Sequence, residues 1–251
     1  MLVCSAALIR LENVSKRFKG PVLRSVSLEV PAGCTYALIG PGASGKSVLL
    51  KLVAGLLQPE GGQVQVDGEE IAGLDDASLA SMRRKIGMLF QNYALFDYMS
   101  VGENIAFPLR RLFDLPAEEI RERVAERLAR VALPGFEARD VGGLSGGQKK
   151  RVGFARATVA RAPILLYDEP TAGLDPVTSQ KIYDLLRAEQ RERASTVMVI
   201  SSDVQGVLGV ADRVGMLHRG ELIFDGTVEE ARTSEEPAVR QFVHGLTEGP
   251  L

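Results

Sequence analysis

Ile39 runs directly into Gly40-Pro41-Gly42-Ala43-Ser44-Gly45-Lys46-Ser47, and the reading of these eight residues decides how the rest of the chain is understood. The run fits G-x-x-x-x-G-K-[ST]. The apolar stretch Thr35–Ile39 precedes it and helical apolar spacing from Ser47 to Leu57 follows it, which is the strand-then-helix context the motif requires. Glycines in such a loop let successive main-chain N–H groups converge on an anion, and a helix beginning near Gly45 adds its partial positive charge. Lys46 would reach the terminal phosphates of a nucleotide, and the Ser47 hydroxyl would ligate Mg2+.

Outward from this loop the chain alternates. Leu8–Val14 and Val22–Val30 read as strands before it, and Gln63–Gly68 (QVQVDG) and Ile86–Phe90 as strands after it. Pro116–Val131 has the spacing of a charged amphipathic helix with Ile120, Val124, Leu128 and Val131 on one face, so residues 92–143 are expected to form a helical insert. The β/α alternation then resumes: helix Gly147–Ala160, strand Ile164–Tyr167, helix Val177–Arg191, strand Thr196–Ser201, helix Asp203–Ala211 and a hairpin turning at Arg219–Gly220. This order predicts an α/β fold with a parallel sheet covered on both faces.

Two further elements carry chemistry. Ile164-Leu165-Leu166-Tyr167-Asp168-Glu169 is an apolar strand ending in two carboxylates; Asp168 is placed to hold Mg2+, and Glu169 to orient and activate an attacking water. No NKxD base-reading motif of a GTPase is present. Leu144-Ser145-Gly146-Gly147-Gln148 opens a helix with a hydroxyl and two glycines, a second anion-reading helix start. Two such ends in one chain suggest that the second serves a nucleotide held by another copy. Lys149-Lys150-Arg151 after it reads as a solvated basic face.

GPGASGKS, LSGGQ and LLYDEP in this order resemble the nucleotide-binding subunits of ATP-binding cassette (ABC) transporters over almost the whole chain. The resemblance implies a P-loop NTPase core with an N-terminal antiparallel β region and an inserted helical subdomain. Residues 1–91 and 144–235 would form the core and β region, 92–143 the helical part and 236–251 a C-terminal tail, all in one cassette. It implies ATP and Mg2+ as ligands, and a head-to-tail homodimer that sandwiches ATP between one chain's loop and its partner's LSGGQ. In this light Phe18 would stack on adenine, and Ser145, Gly146, Gly147 and Gln148 would close over the partner's nucleotide. Gln91 would join Ser47 and Asp168 at Mg2+, and Asp175, ending Ala172-Gly173-Leu174-Asp175, would meet the other subunit. One position departs: the family places a His after the strand following the carboxylate pair, and Ser202 stands there, with Asp203 expected to cap the next helix. Hydrolysis is expected to be slower for it.

Phe90–Arg110 (FQNYALFDYMSVGENIAFPLR) and the ending Val239–Leu251 narrow the resemblance to the ATPases of bacterial Mla/Mce-type lipid transporters. That branch implies phospholipid or other hydrophobic cargo, integral permease subunits, a periplasmic lipid-binding MCE-type subunit, a small cytoplasmic regulatory subunit and a place on the cytoplasmic face of the inner membrane. Tyr93, Leu95, Phe96, Tyr98 and Met99 would line the groove that receives a permease helix.

Composition bounds these readings. The 251 residues are 45% hydrophobic and 25% charged, with net charge −2, values that exclude a disordered or disulfide-scaffold chain. Mean hydropathy is slightly positive, at +0.05, yet no apolar run reaches the roughly 18 residues of a membrane-spanning helix. A near-neutral charge argues against nucleic acid as a partner. Met1–Arg10 lacks the basic start and small-residue cleavage site of a signal peptide. Cys4 and Cys34 have no metal-ligand spacing and read as reduced thiols, and the two histidines, His218 and His244, are too few for a His-based centre.

Overall fold

The computed structural model describes residues 7–251; Cys4 lies outside them. Three strands, β1 (Ala7–Arg17), β2 (Pro21–Pro31) and β3 (Thr35–Ile39), lead into α1 (Lys46–Val53), followed by β4 (Gly61–Val66) and β5 (Glu69–Glu70). Next come α2 (Asp76–Arg84), β6 (Ile86–Leu89), α3 (Val101–Leu112), α4 (Ala117–Arg130) and α5 (Gly146–Thr158). β7 (Ile164–Asp168), α6 (Pro176–Arg193), β8 (Thr196–Ile200) and α7 (Val204–Leu208) continue the alternation, and β9 (Arg213–His218), β10 (Glu221–Thr227), α8 (Val228–Arg232) and α9 (Pro237–His244) complete it.

The strands form a four-stranded antiparallel sheet, β2-β1-β4-β5, and a six-stranded sheet, β10-β9-β3-β8-β7-β6, in which only β10 runs antiparallel. Alternation along each central strand feeds two separate cores. Ala37, Leu165, Tyr167, Val197 and Val199 face the helices α3 to α9, while Tyr36, Leu38, Ile164, Leu166, Met198 and Ile200 face α1 and the antiparallel sheet. Burial on both faces is why β3, β7 and β8 are unbroken apolar runs rather than alternating ones. Because β3, β7 and β8 are parallel, Ile39, Asp168 and Ile200 end on one edge of the sheet, where a ligand site of an open α/β sheet is expected.

Local chemistry sets the helix starts. Ser100 caps α3 reciprocally with Glu103, and Asp203, as expected from sequence, caps α7 by accepting from the Gly206 N–H at 3.0 Å. α2 has no counterpart in the sequence reading: Met82 is its one fully buried side chain, so its apolar period is faint, and its start shows only in Asp75 accepting from Ser78 N. α1 ends four residues earlier than expected, turning at Gly55 with φ 63°. The C-terminal residues are not splayed out. α9 buries Val239 and Val243, Gln205 donates to the Val243 carbonyl at 2.7 Å, and the Leu251 N–H reaches Gln241 Oε1 at 2.9 Å.

α4 is tied to α6 by a buried ion pair. Arg127 Nη1 lies 2.6 Å from Glu189 Oε2 with both side chains at most 3% exposed, and Arg193 Nε takes the other Glu189 oxygen at 3.0 Å. Without Arg127, Glu189 keeps Arg193 at 3.0 Å and Arg130 at 3.8 Å, so its buried charge stays partly compensated and one charged hydrogen bond is lost. Arg127→Met is therefore expected to destabilise the chain by about 1.5–3 kcal/mol. Arg127→Met combined with Glu189→Leu should recover most of the loss, and urea unfolding of the three proteins checks both.

Candidate nucleotide site

The loop after β3 is shaped by two glycines that no other residue would replace. Gly40 has φ 141°, and a Cβ there would lie 2.1 Å from the Leu217 carbonyl oxygen; Gly45 has φ 104° and would place a Cβ 2.9 Å from the Val22 carbonyl oxygen. The loop thus packs against β2 and β9. Lys46 folds over it, its Nζ donating to the Gly40 and Pro41 carbonyls at 2.8 Å each and lying 3.4 Å from Ser44 Oγ. Burial pulls the Lys46 pKa below that of a free lysine, partly offset by the charges of Glu169 and Asp168.

Ser47 Oγ donates to Asp168 Oδ1 at 3.0 Å, joining the first turn of α1 to the end of β7. Burial raises the Asp168 pKa and the neighbouring Glu169 adds to the shift, while the Ser47 bond and the charges of Lys51 and Lys46 oppose it. A hydroxyl and a carboxylate so placed are hard oxygen donors of the kind Mg2+ takes beside phosphate oxygens. Glu169 stands one residue on, in the left-handed region at φ 50°. A non-glycine residue there is held against its preference by its surroundings. The Glu169 N–H donates to the Ile200 carbonyl at 3.0 Å, and its Oε2 accepts both the N–H and the hydroxyl of Ser202 at 2.9 Å. The position where the family pattern has a histidine thus carries a side chain that grips the carboxylate directly.

Lys46, Ser47 and Glu169 line one cavity of about 450 Å3, together with Phe18, Val22, Gly42, Ala43, Ser44, Gly45, Val48, Gln91 and Ile200, while Asp168 and Ser202 stand behind this lining. That volume is in the range of small-molecule sites. Phe18 stands exposed at its rim with the Lys16 ammonium 5.5 Å from its ring centroid. Ser145, Gly146, Gly147, Gln148 and Asp175 are not among its lining residues. Ser145 and Gln148 form a capping box at the exposed start of α5, and Asp175 caps α6 by accepting from Thr178 N at 3.0 Å and Thr178 Oγ1 at 2.6 Å.

The basic run after LSGGQ is not the solvated face expected from sequence. Lys150 is 2% exposed; its ammonium donates to the Ala172 carbonyl and lies 3.4 Å from the Glu169 carbonyl. Desolvation lowers its pKa to about 8. Arg151 donates to the Val131 and Ala132 carbonyls at 3.0 and 3.2 Å. Arg156, which sequence reading passed over, donates to the Ala94 carbonyl at 2.7 Å and to the Tyr93 carbonyl, holding two consecutive residues at positive φ just after Gln91. The signal was present: Lys150 sits three and four residues before Gly153 and Phe154 on the buried side of α5, and Arg156 stands inside a run of buried residues.

Asn104 was likewise missed. It is fully buried; its Oδ1 accepts from Phe96 N at 2.8 Å, and its amide donates to the Phe96, Met99 and Ser100 carbonyls at 3.0 to 3.2 Å. It shapes the segment in front of an apolar groove of about 280 Å3, lined by Ile86, Met88, Phe90, Ala94, Phe96, Phe107, Pro108 and Leu112 among others. Of the five residues expected in a groove, Phe96 alone lines this one. Tyr98 is 80% exposed beside it, Leu95 packs into the core and Tyr93 is half-buried under Lys150.

Comparison with known proteins agrees with this geometry. The family model for ABC transporters matches residues 23–172. The methionine import ATP-binding protein MetN of Caulobacter vibrioides is 42% identical over 226 residues, 89% of this chain and 68% of the relative. The probable ribonucleotide transport ATP-binding protein mkl of Mycobacterium leprae is 39% identical over 244 residues, 97% of this chain and 70% of the relative. An Arabidopsis thaliana protein, chloroplastic trigalactosyldiacylglycerol 3, is 37% identical over 265 residues, 98% of this chain and 76% of the relative. Among solved structures, the dimeric ATP-binding cassette MJ0796 in a post-hydrolysis state bound to ADP and Pi has a TM-score of 0.83 at 34% identity, covering 88% of this chain and 98% of that one. The chain belongs to the ABC transporter family. Its fold is the ABC ATPase cassette, and its reaction is ATP hydrolysis.

Lys150→Met keeps the length of the side chain and removes its amine. It is expected to cost about 1–3 kcal/mol by leaving buried carbonyls without their donor, whereas a solvated lysine would change stability by less than about 0.5 kcal/mol. Urea denaturation separates the two.

Proposed function

We propose that the chain is the ATP-hydrolysing subunit of a bacterial envelope transporter that moves phospholipid or another hydrophobic substrate between the inner membrane and the outer envelope. The observation that carries this reading is the Phe90–Arg110 segment, whose FQ-x-x-ALF and EN-x-AF-PL residues resemble the lipid branch of the family and supply both Asn104 and much of the apolar groove. A relative bearing the name of a galactolipid supports it.

In this reading the Gly42–Ser47 backbone and Lys46 bind the triphosphate, and Phe18 stacks on the base. Ser47, Asp168 and Gln91 hold Mg2+, which supplies charge neutralisation at the phosphates. Glu169, aimed by Ser202, orients and activates the attacking water, since phosphoryl transfer depends on positioning and charge stabilisation. Ser145, Gly146, Gly147 and Gln148 of a second copy close over the γ-phosphate in a head-to-tail homodimer, with Asp175 at the contact between copies. Residues 92–143 act as the helical lobe and 1–91 with 144–235 as the core, while 236–251 form the C-terminal segment. A cytoplasmic helix of a permease subunit enters the groove beside Phe96. An MCE-type periplasmic lipid-binding subunit and a small cytoplasmic regulatory subunit complete the complex, which involves no nucleic acid. No helix among the described residues is long and apolar enough to cross a membrane. In this reading the chain sits peripherally on the cytoplasmic face of the inner membrane through its permease. A methionine importer is the second reading, favoured by the 42% identity to MetN.

The complex purified from membranes with its permease should carry phospholipid, read by lipid mass spectrometry. ATPase activity stimulated by methionine in proteoliposomes free of any lipid effect would overturn the lipid reading in favour of the second. Glu169→Gln is expected to lower turnover by about 10²–10⁴-fold while ATP still drives the chain into a dimer on size exclusion with light scattering. Ser202→His is expected to raise ATPase turnover; unchanged turnover would show that the serine is no handicap.

A further inference from the structure

Tyr183 lies in the second turn of α6, is 1% exposed and has no part in the chemistry assigned so far. Its hydroxyl lies 3.1 Å from Thr171 Oγ1, 2.9 Å from Ser201 Oγ and 3.5 Å from the Asp203 carbonyl. Thr171 and Ser201 are themselves buried, at 4% and 0% exposure, and Ser201 Oγ also accepts the Asp203 N–H at 3.1 Å. In each of the two hydroxyl pairs either oxygen can donate, and the Asp203 carbonyl is a further acceptor for the Tyr183 proton. Each hydroxyl here would pay a desolvation cost if left without a partner.

Followed along the chain, these contacts close on themselves. Thr171 is two residues beyond Glu169 in sequence, and Ser201 precedes Ser202, which gives its N–H and its hydroxyl to Glu169 Oε2. The circuit Glu169–Thr171–Tyr183–Ser201–Ser202–Glu169 therefore holds the residue at its backbone from one side and at its carboxylate from the other. The ring of Tyr183 is fixed in turn by α7: a Cβ on Gly206 would lie 2.4 Å from Tyr183 Cε2, so only glycine lets the first turn of α7 approach. Burial pushes the Tyr183 phenol up to about 12.

We propose that Tyr183 is a positioning residue for Glu169, the buried hub that sets the peptide of Ser202 and the segment after Glu169 in register so that the carboxylate faces the loop. This rests on the reading of Glu169 as the residue that activates water. The hub compensates for the absent histidine: Ser202 is short, and it reaches Glu169 only where its own main chain is held in place.

The test is steady-state ATPase kinetics on the full chain. Tyr183→Phe, which keeps the ring and loses the hydroxyl, should lower kcat about tenfold, the loss expected for one buried hydrogen bond in the reacting arrangement, with KM for ATP within about twofold of the original. Thr171→Val opens the same circuit and should match it, and the double variant should fall no further than either single. It also carries the test if Tyr183→Phe fails to fold. Rates are taken per ATP-binding molecule, so a loss of folded protein does not count as a loss of kcat. A kcat within twofold of the original, a rise in KM equal to the fall in kcat, or losses that multiply in the double variant would overturn the proposal. Glu169→Gln run in parallel separates the two levels. If it abolishes hydrolysis while Tyr183→Phe is unaffected, the hub alone is wrong; if it retains hydrolysis, the role of Glu169 falls and the hub with it.

Discussion

The hydrogen bond from Ser47 Oγ to Asp168 Oδ1 joins residues 121 positions apart in sequence, and the rest of the site depends on it. It exists because β3 and β7 both pair with β8 in parallel, which brings the start of α1 and the end of β7 to one edge of the six-stranded sheet. The strands must be apolar on both faces to lie there, and two cores must form to cover them. A shift of one residue in either pairing would send the inward side chains of each strand to the wrong core. Register is therefore set by burial, and the placement of the Ser47 and Asp168 oxygens follows from it.

Much of this was legible in sequence because the loop, the carboxylate pair and the signature are contiguous runs with strand and helix signals at their sides. The order β3, α1, β4, β6 and then α4 to β10 follows from apolar periodicity and glycine-marked turns, while β5, α2 and α3 were not placed. What escaped was of two kinds. α2 buries too little to show a period, and its capping aspartate is a faint mark. Lys150, Arg156, Asn104 and Tyr183 are single polar residues whose partners are backbone or hydroxyl atoms 4 to 63 positions away. Sequence spacing encodes which face of a helix a residue occupies, but the carbonyls that face will meet are set by tertiary packing. The reading of Lys150 as solvated failed for that reason: a lysine in a basic run is mostly exposed, and here the loop after Glu169 covers it.

Buried cations recur in this molecule, and each does a different job. Arg127 meets a carboxylate and fastens α4 to α6. Lys150 and Arg156 give their hydrogen bonds to carbonyl oxygens, so they hold main chain in place. Arg156 keeps Tyr93 and Ala94 at positive φ, and Lys150 lies against the carbonyl of Glu169, itself at positive φ. Desolvation weakens the hold of both cations on their protons, which is the cost of placing a charge where a neutral donor would lack reach.

α5 has Ser145 at its start, Lys150 near its middle and Arg156 in its last turn, over a rod of about 20 Å. Because Lys150 bonds the segment behind Glu169 and Arg156 the segment behind Gln91, one helix braces both the nucleotide cavity and the rim of the apolar groove. A substitution that unseats α5 would therefore loosen the two places at once.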